Sequence, residues 1–210
     1  MQEIFTIIIL IMSVVIHEVS HGYAALFFGD QTAKFEGRLT LNPIKHLDPI
    51  GSVLIPLLLI ISHAGFIFGW ARPVPYNPNN LRNKKNGTIA VASAGILANL
   101  FIALIFGILI RIVSSLGIGS EAFFIVSELI VLINLLLAIF NLIPIPPLDG
   151  SKILFSFISY KYQNIITIME RYSIIILVIF IFFIFPTFGI WSYIQKLISL
   201  LFNLFTGTML

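Results

Sequence analysis

The sequence predicts an all-α polytopic membrane protein of about five to six membrane segments, one of them re-entrant, with a short β-hairpin. Three observations carry that prediction. Hydrophobic residues make up 59% of the 210 residues and charged residues only 10%, against about 25% charged in soluble domains. Mean hydropathy is +1.06. Several apolar runs approach or exceed the roughly 20 residues that cross a hydrocarbon core, and only short polar links separate them. The chain reads as one integral membrane domain, residues 1–210, with a core at about 4–152 and a C-terminal helix and tail at 153–210.

Composition also removes function classes. There is no cysteine, so disulfides, thiolate catalysis and sulfur metal ligands from cysteine are excluded. The net charge of +3 comes from scattered basic residues. No basic run alternates with aromatics, so nucleic acid is not an expected partner and the lipid bilayer is. Met1-Gln2-Glu3 opens the chain without the basic start of a signal peptide, so the first helix is expected to stay in the mature protein.

Each element follows in chain order. Segment A, about residues 4–28, is an apolar run holding "VVIHEVSHGYAALF". Residues 29–51 are more polar, and 33–41 read as a hairpin turning near Glu36-Gly37. Segment B, residues 52–68, is apolar but contains Pro56, His63 and Gly65. Residues 69–87, rich in Pro, Asn and Gly, carry Arg72, Arg82, Lys84 and Lys85 and no acidic residue, which places that loop in the cytoplasm. Segments C (88–116) and D (121–142) are joined by "SLGIGSE", a link without basic residues that suits the outer side. Three prolines in "NLIPIPPLDGSK" stop segment D. Segment E is expected at about 165–185, and the tail, 189–210, along the membrane interface.

His17 and His21 are four residues apart, which puts both imidazoles on one helical face, with Glu18 beside them. This is the H-E-x-x-H arrangement, in which two histidines bind zinc and the glutamate is a general base. Ionisable groups at membrane depth point to function. A catalytic zinc needs a third protein ligand. Glu3, Glu121 and Glu128 lie toward the outer side, whereas Asp149 follows the forced break after segment D and can turn inward.

"HEVSH" in an early helix together with "NLIPIPPLDG" after a later one resembles the site-2 protease family of intramembrane zinc metalloproteases. "NPIKHLDPIG" (42–51) and "GWARPVPYNPNNLR" (69–82) are similar to its compact prokaryotic branch without a PDZ domain. The resemblance implies His17, His21 and Asp149 as ligands of one zinc ion per chain and Glu18 as the base that activates water. It implies Asn141 as a catalytic residue, stabilising the oxyanion or positioning water. Gly95-Ile-Leu-Ala-Asn99 matches the family's Gly-x-x-x-Asn element, with Ile96 where many relatives have proline. His46 and Asp48, in "NPIKHLDPIG", are candidates for orienting a ligand or the hairpin, as are Gly95 and Asn99. The implied substrate is a transmembrane protein or peptide, cut within the membrane of a prokaryotic cell with the active site toward the cytoplasm. A metal-binding transporter or a catalytically inactive chaperone of the same fold are the alternatives. The transporter would show repeated halves, which are absent, and an intact Glu18 speaks against the chaperone.

For His17 and Asp149 to meet, A and D must end on one side, the cytoplasmic one. C then starts where A ends, so an even number of crossings separates them. Only B lies between, so B is expected to be re-entrant, or the preceding hairpin to dip back into the membrane and make up the count. The hairpin at 33–41 and the run 143–148 are each expected to offer an edge to extended substrate.

Overall fold

The computed structural model describes residues 2–48, 51, 54, 61 and 71–208. Helix α1 is Gln2–Phe27. The short α2, Thr32–Phe35, follows, then single 3-10 turns at Pro43–His46 and Pro78–Asn80. The long helices α3 (Lys84–Leu116) and α4 (Glu121–Leu142) come next, then α5 (Asp149–Phe155). A bent pair, α6 (Gln163–Arg171) and α7 (Ser173–Thr187), precedes α8 (Ile190–Thr206).

Helices α1, α3 and α4 are each long and apolar enough to cross a membrane, and the bent pair makes a fourth crossing if it counts as one. Their boundaries have local causes. The Asn83 side chain caps α3 by accepting from Asn86 N at 3.0 Å, and Gly117, at φ +65°, closes it. Ser120 caps α4 by accepting from Phe123 N, and Pro144 prevents its continuation.

The bundle is polar inside and apolar outside. Ser13, His17, His21, Asn99, Ser127 and Asn134 are buried, while Ile4, Phe101 and many other large apolar side chains on the same helices are exposed. That distribution suits lipid, where polar groups must find partners within the protein. The apolar part of the core joins Ala103 and Ile110 of α3, Val131 and Leu135 of α4, and Phe202 of α8.

Four expectations need correction. The β-hairpin at 33–41 is absent; among the described residues there is no strand. The chain instead forms α2 and closes it with a Schellman turn, Gly37 N donating to Lys34 O and Arg38 N to Ala33 O. Gly37, at φ +63°, serves that turn as readily as it would serve a hairpin. Segment E is two helices meeting at 71° rather than one straight helix. The polar Glu170-Arg171-Tyr172 interrupts the apolar run, and α6 buries only Ile166. The tail does not lie free along the interface. Its stripe Ile198, Phe202 and Thr206 is buried, and Arg111 of α3 donates to the terminal carbonyls of Leu204 and Phe205 at 2.6 and 2.8 Å. The run 143–148 folds on itself through Leu148 N to Ile145 O, 2.9 Å, and presents no extended edge.

The expected re-entrant segment B lies largely outside the described residues. Its surroundings are fixed on one side of the bundle. Arg72 N donates to His46 O and Arg82 N to Phe28 O, both at 2.9 Å, so α1 ends where α3 begins. Asp30 ties the two ends together. Its carboxylate accepts from Thr32 N, Thr32 Oγ1, Asn77 N and Asn80 Nδ2. Burial opposes its charge, and these bonds outweigh burial and hold its pKa below the ordinary value. A depressed folded pKa contributes stability that is present above the unfolded pKa and lost as pH falls through the folded one. Detergent-solubilised protein should therefore lose thermal stability below about pH 4. Asp30→Asn should be less stable at neutral pH and show a weaker acid dependence.

Candidate metal centre

Two histidines meet one carboxylate where α1 faces α5. His17 Nε2 lies 3.0 Å, and His21 Nε2 3.1 Å, from Asp149 Oδ2. The two rings stand edge to face with centroids 4.6 Å apart. One ligand atom from each of the three residues lies within 4.8 Å of the others, and all three residues are buried. The helical four-residue spacing stacks the histidines, as the sequence predicts. Asp149 reaches them because the proline-rich turn brings the chain straight back from the end of α4. A Cβ on Gly150 would lie 2.2 Å from Leu142 O, so only glycine lets α5 start this close to α4.

Each ligand atom has a defined chemical state. His21 Nδ1 is 2.7 Å from Val91 O, a carbonyl that only accepts, so Nδ1 carries the proton and Nε2 keeps its lone pair. His17 Nδ1 is 2.6 Å from Asn99 Oδ1, so Nδ1 donates there and Nε2, facing Asp149 Oδ2, is the ring atom turned to an ion. Lys152 Nζ occupies Asp149 Oδ1 at 3.1 Å, so Oδ2 is the oxygen that faces the histidines. Burial opposes ionisation of Asp149. The Lys152 ammonium beside it favours the ionised carboxylate. Two imidazole nitrogens and a carboxylate oxygen, with both outer nitrogens tied to acceptors, fit the donor set of a catalytic zinc with three protein ligands.

Glu18, next to His17 on α1, is half-buried. Its Oε2 accepts from Val74 N at 2.9 Å, so a backbone N–H from the loop after segment B fixes the carboxylate beside the centre. That loop is held by Arg38, whose guanidinium donates to Arg72 O at 2.8 Å. His46 is not a fourth ligand. It is 1% exposed, and its Nε2 donates to Thr40 O at 2.8 Å. With Arg72 N on its carbonyl, it supports the loop that reaches Glu18. Asp48 Oδ1 accepts from Gly51 N at 2.6 Å, a local turn. The Asn141 amide donates to Leu137 O, one turn back on its own helix, at 2.9 Å.

Gly95 and Asn99 both belong to the wall behind His17. A Cβ at Gly95 would stand 2.5 Å from His17 Cε1 and 2.6 Å from Nε2, so α3 presents bare backbone to the ring. The ring cannot retreat, being bonded to Asn99 on one side and Asp149 on the other. Gly95→Ala should therefore weaken zinc binding about tenfold or more, the range seen when groups that orient a ligand are disturbed. Competition with a chelating dye measures this, and an unchanged affinity would mean that the ring has room.

Sequence reasoning missed the Val74 N–H on Glu18, the Val91 carbonyl behind His21 and the Lys152 contact. Only the last left a signal, a lysine three residues after Asp149 on a helix. Lys152 also lines a cavity of about 770 Å³ together with Tyr76, Lys84, Lys85, Thr88 and Glu170. The cavity lies on the side where α1 ends and α3 begins, and Lys152, bonded to Asp149, joins it to the centre.

Residues 117–185 match the family model described as peptidase family M50. The chain is 39% identical over 186 residues to "Putative zinc metalloprotease YwhC" of Bacillus subtilis, covering 84% of this chain and 80% of the relative. It is 30% identical over 177 residues to "Putative zinc metalloprotease Rip2" of Mycolicibacterium smegmatis, covering 80% of this chain and 63% of that protein. The Mycobacterium tuberculosis protein of the same name is 25% identical over 190 residues, covering 87% of this chain and 68% of the relative. No solved structure matches.

Proposed function

This chain belongs to peptidase family M50, the site-2 proteases, and on that premise we propose that it is a zinc metalloendopeptidase cutting membrane-protein substrates within or near their transmembrane segments. One observation carries the intramembrane part of the reading. The histidine donors sit on α1, a helix built to cross a bilayer. At about 1.5 Å per residue they lie roughly 10–15 Å inside the end of α1. A hydrolase with its donors at that depth takes substrate from the membrane.

His17 and His21, through Nε2, and Asp149, through Oδ2, would hold the ion. Bound zinc supplies Lewis acidity, lowering the pKa of water toward about 7 and polarising a carbonyl. Glu18 takes the proton from the attacking water and returns it to the leaving amine. Its bond from Val74 N–H fixes one carboxylate oxygen and leaves the other for that transfer. Asn141 lies on the last turn of α4, before Asp149. By turning from Leu137 O it would donate to the developing oxyanion. Water enters from the side of the lysine-lined cavity. The basic residues there favour the cytoplasmic side.

Purified protein in lipid vesicles with a single-span substrate tests this. Cleavage should stop on metal chelation and return on adding zinc. Mass spectrometry should place the new termini within or beside the spanning segment. Cleavage that survives full zinc removal would remove the metal from the mechanism.

A further inference from the structure

We propose that Asn134, braced by Ser13, is a positioning residue that fixes the orientation of the Asn99 amide and thereby keeps the proton of His17 on Nδ1. Asn99 and Asn134 are 0% exposed and Ser13 4%. All three lie among the spanning helices α1, α3 and α4, where water cannot replace a lost partner. Asn99 Oδ1 faces His17 Nδ1 at 2.6 Å, and Asn99 Nδ2 donates to Asn134 Oδ1 at 2.7 Å. Asn134 Nδ2 in turn donates to Ser13 Oγ and to Ile130 O, both at 2.9 Å.

The direction of this relay is set at its far end. Ile130 O is a carbonyl and only accepts, so Asn134 must present its NH₂ there and its oxygen to Asn99. Asn99 must then turn its NH₂ to Asn134 and its oxygen to His17. A second carbonyl, Ser13 O, sits 3.4 Å from Asn99 Nδ2 and favours the same orientation. An oxygen at His17 Nδ1 demands a proton on that nitrogen. With Nδ1 held as a donor, Nε2, 3.0 Å from Asp149 Oδ2, is the ring atom left to bind an ion. Reversing Asn99 would put an NH₂ against Nδ1, move the proton to Nε2 and close that atom to a metal. A residue that touches neither metal nor substrate thus prepares a ligand atom. His21 is independent of the relay, because its Nδ1 donates to Val91 O.

The tautomer stands apart from the proposed function; only its consequence for zinc rests on it. Threonine and valine at 134 have nearly the same shape and differ in one hydroxyl. In Asn134→Thr the hydroxyl donates to Ile130 O, four residues back, and accepts from Asn99. In Asn134→Val neither bond exists. The measurement is 15N NMR of histidine-labelled, metal-free protein, reading the Nδ1 signal of each ring. Wild type and Asn134→Thr should show His17 protonated on Nδ1. Asn134→Val should show a mixture, with His21 unchanged, and zinc affinity about tenfold weaker. Ser13→Ala keeps the Ile130 anchor and should keep the tautomer. Asn134→Leu replaces the valine variant if the smaller side chain prevents folding. An unaltered His17 in the apolar variants overturns the proposal, as does an equal change at His21, which would mean general loosening. If wild type binds no zinc while the tautomers respond as stated, the metal reading fails and this one holds.

Discussion

Replacing Glu18 with glutamine is expected to lower proteolysis by about a hundred- to ten-thousandfold while zinc stays bound. Glutamine keeps the shape and retains an oxygen that can accept from Val74 N–H, now at 2.9 Å from Glu18 Oε2. The loop at 71–74 should therefore hold its place. His17, His21 and Asp149 do not bond to Glu18, so the ligand atoms are undisturbed. What disappears is a group able to take a proton from water and give it to the leaving nitrogen. Single-turnover cleavage in vesicles, beside zinc content, separates these effects. Near-normal cleavage by Glu18→Gln would exclude Glu18 as the base.

Asp149→Ala should have an effect as large by a different route. It removes the oxygen that both histidine Nε2 atoms face and the acceptor of Lys152. A Lys152 ammonium would then stand beside a two-histidine site and oppose a cation directly. Zinc affinity should fall by more than the roughly 10–100-fold seen when only an outer partner is lost, and cleavage should fall to background. Helical content should be unchanged, since α5 is closed by backbone bonds that alanine permits. Asp149→Asn, which keeps one oxygen, should lie between. An alanine variant that retains tight zinc would mean that another residue supplies the third donor.

The centre was legible in the sequence because its chemistry is written in local spacing and forced geometry. Four residues of helix bring His17 and His21 together whatever surrounds them. Three prolines leave Asp149 at the start of a new helix. The parts that were not legible depend on contacts distant along the chain. Nothing in residues 71–77 marks the Val74 N–H as the partner of Glu18. Gly95 and Asn99 could be singled out by family resemblance, but their purpose appears only where bare backbone meets the His17 ring.

The misread elements share a cause. Gly37 signals a positive-φ turn, and both a hairpin and a Schellman-closed helix require one. Hydrophobic length makes 165–185 look like one straight helix, but length cannot place the 71° bend beside Tyr172. An amphipathic stripe such as Ile198, Phe202 and Thr206 fits a lipid interface or a protein groove equally well. The presence of Arg111 beside the last carbonyls of α8 decides for the groove.

The measurement that bears most directly on the central claim is X-ray absorption at the zinc edge of the purified, membrane-reconstituted protein. Two imidazole nitrogens with their outer-ring scattering, completed by oxygen, are the expected first shell. Imidazole scattering should fall by half in His17→Ala or His21→Ala. Purified protein that takes up no zinc, or holds it in a shell without imidazole, would contradict the assignment of His17, His21 and Asp149 as the metal centre.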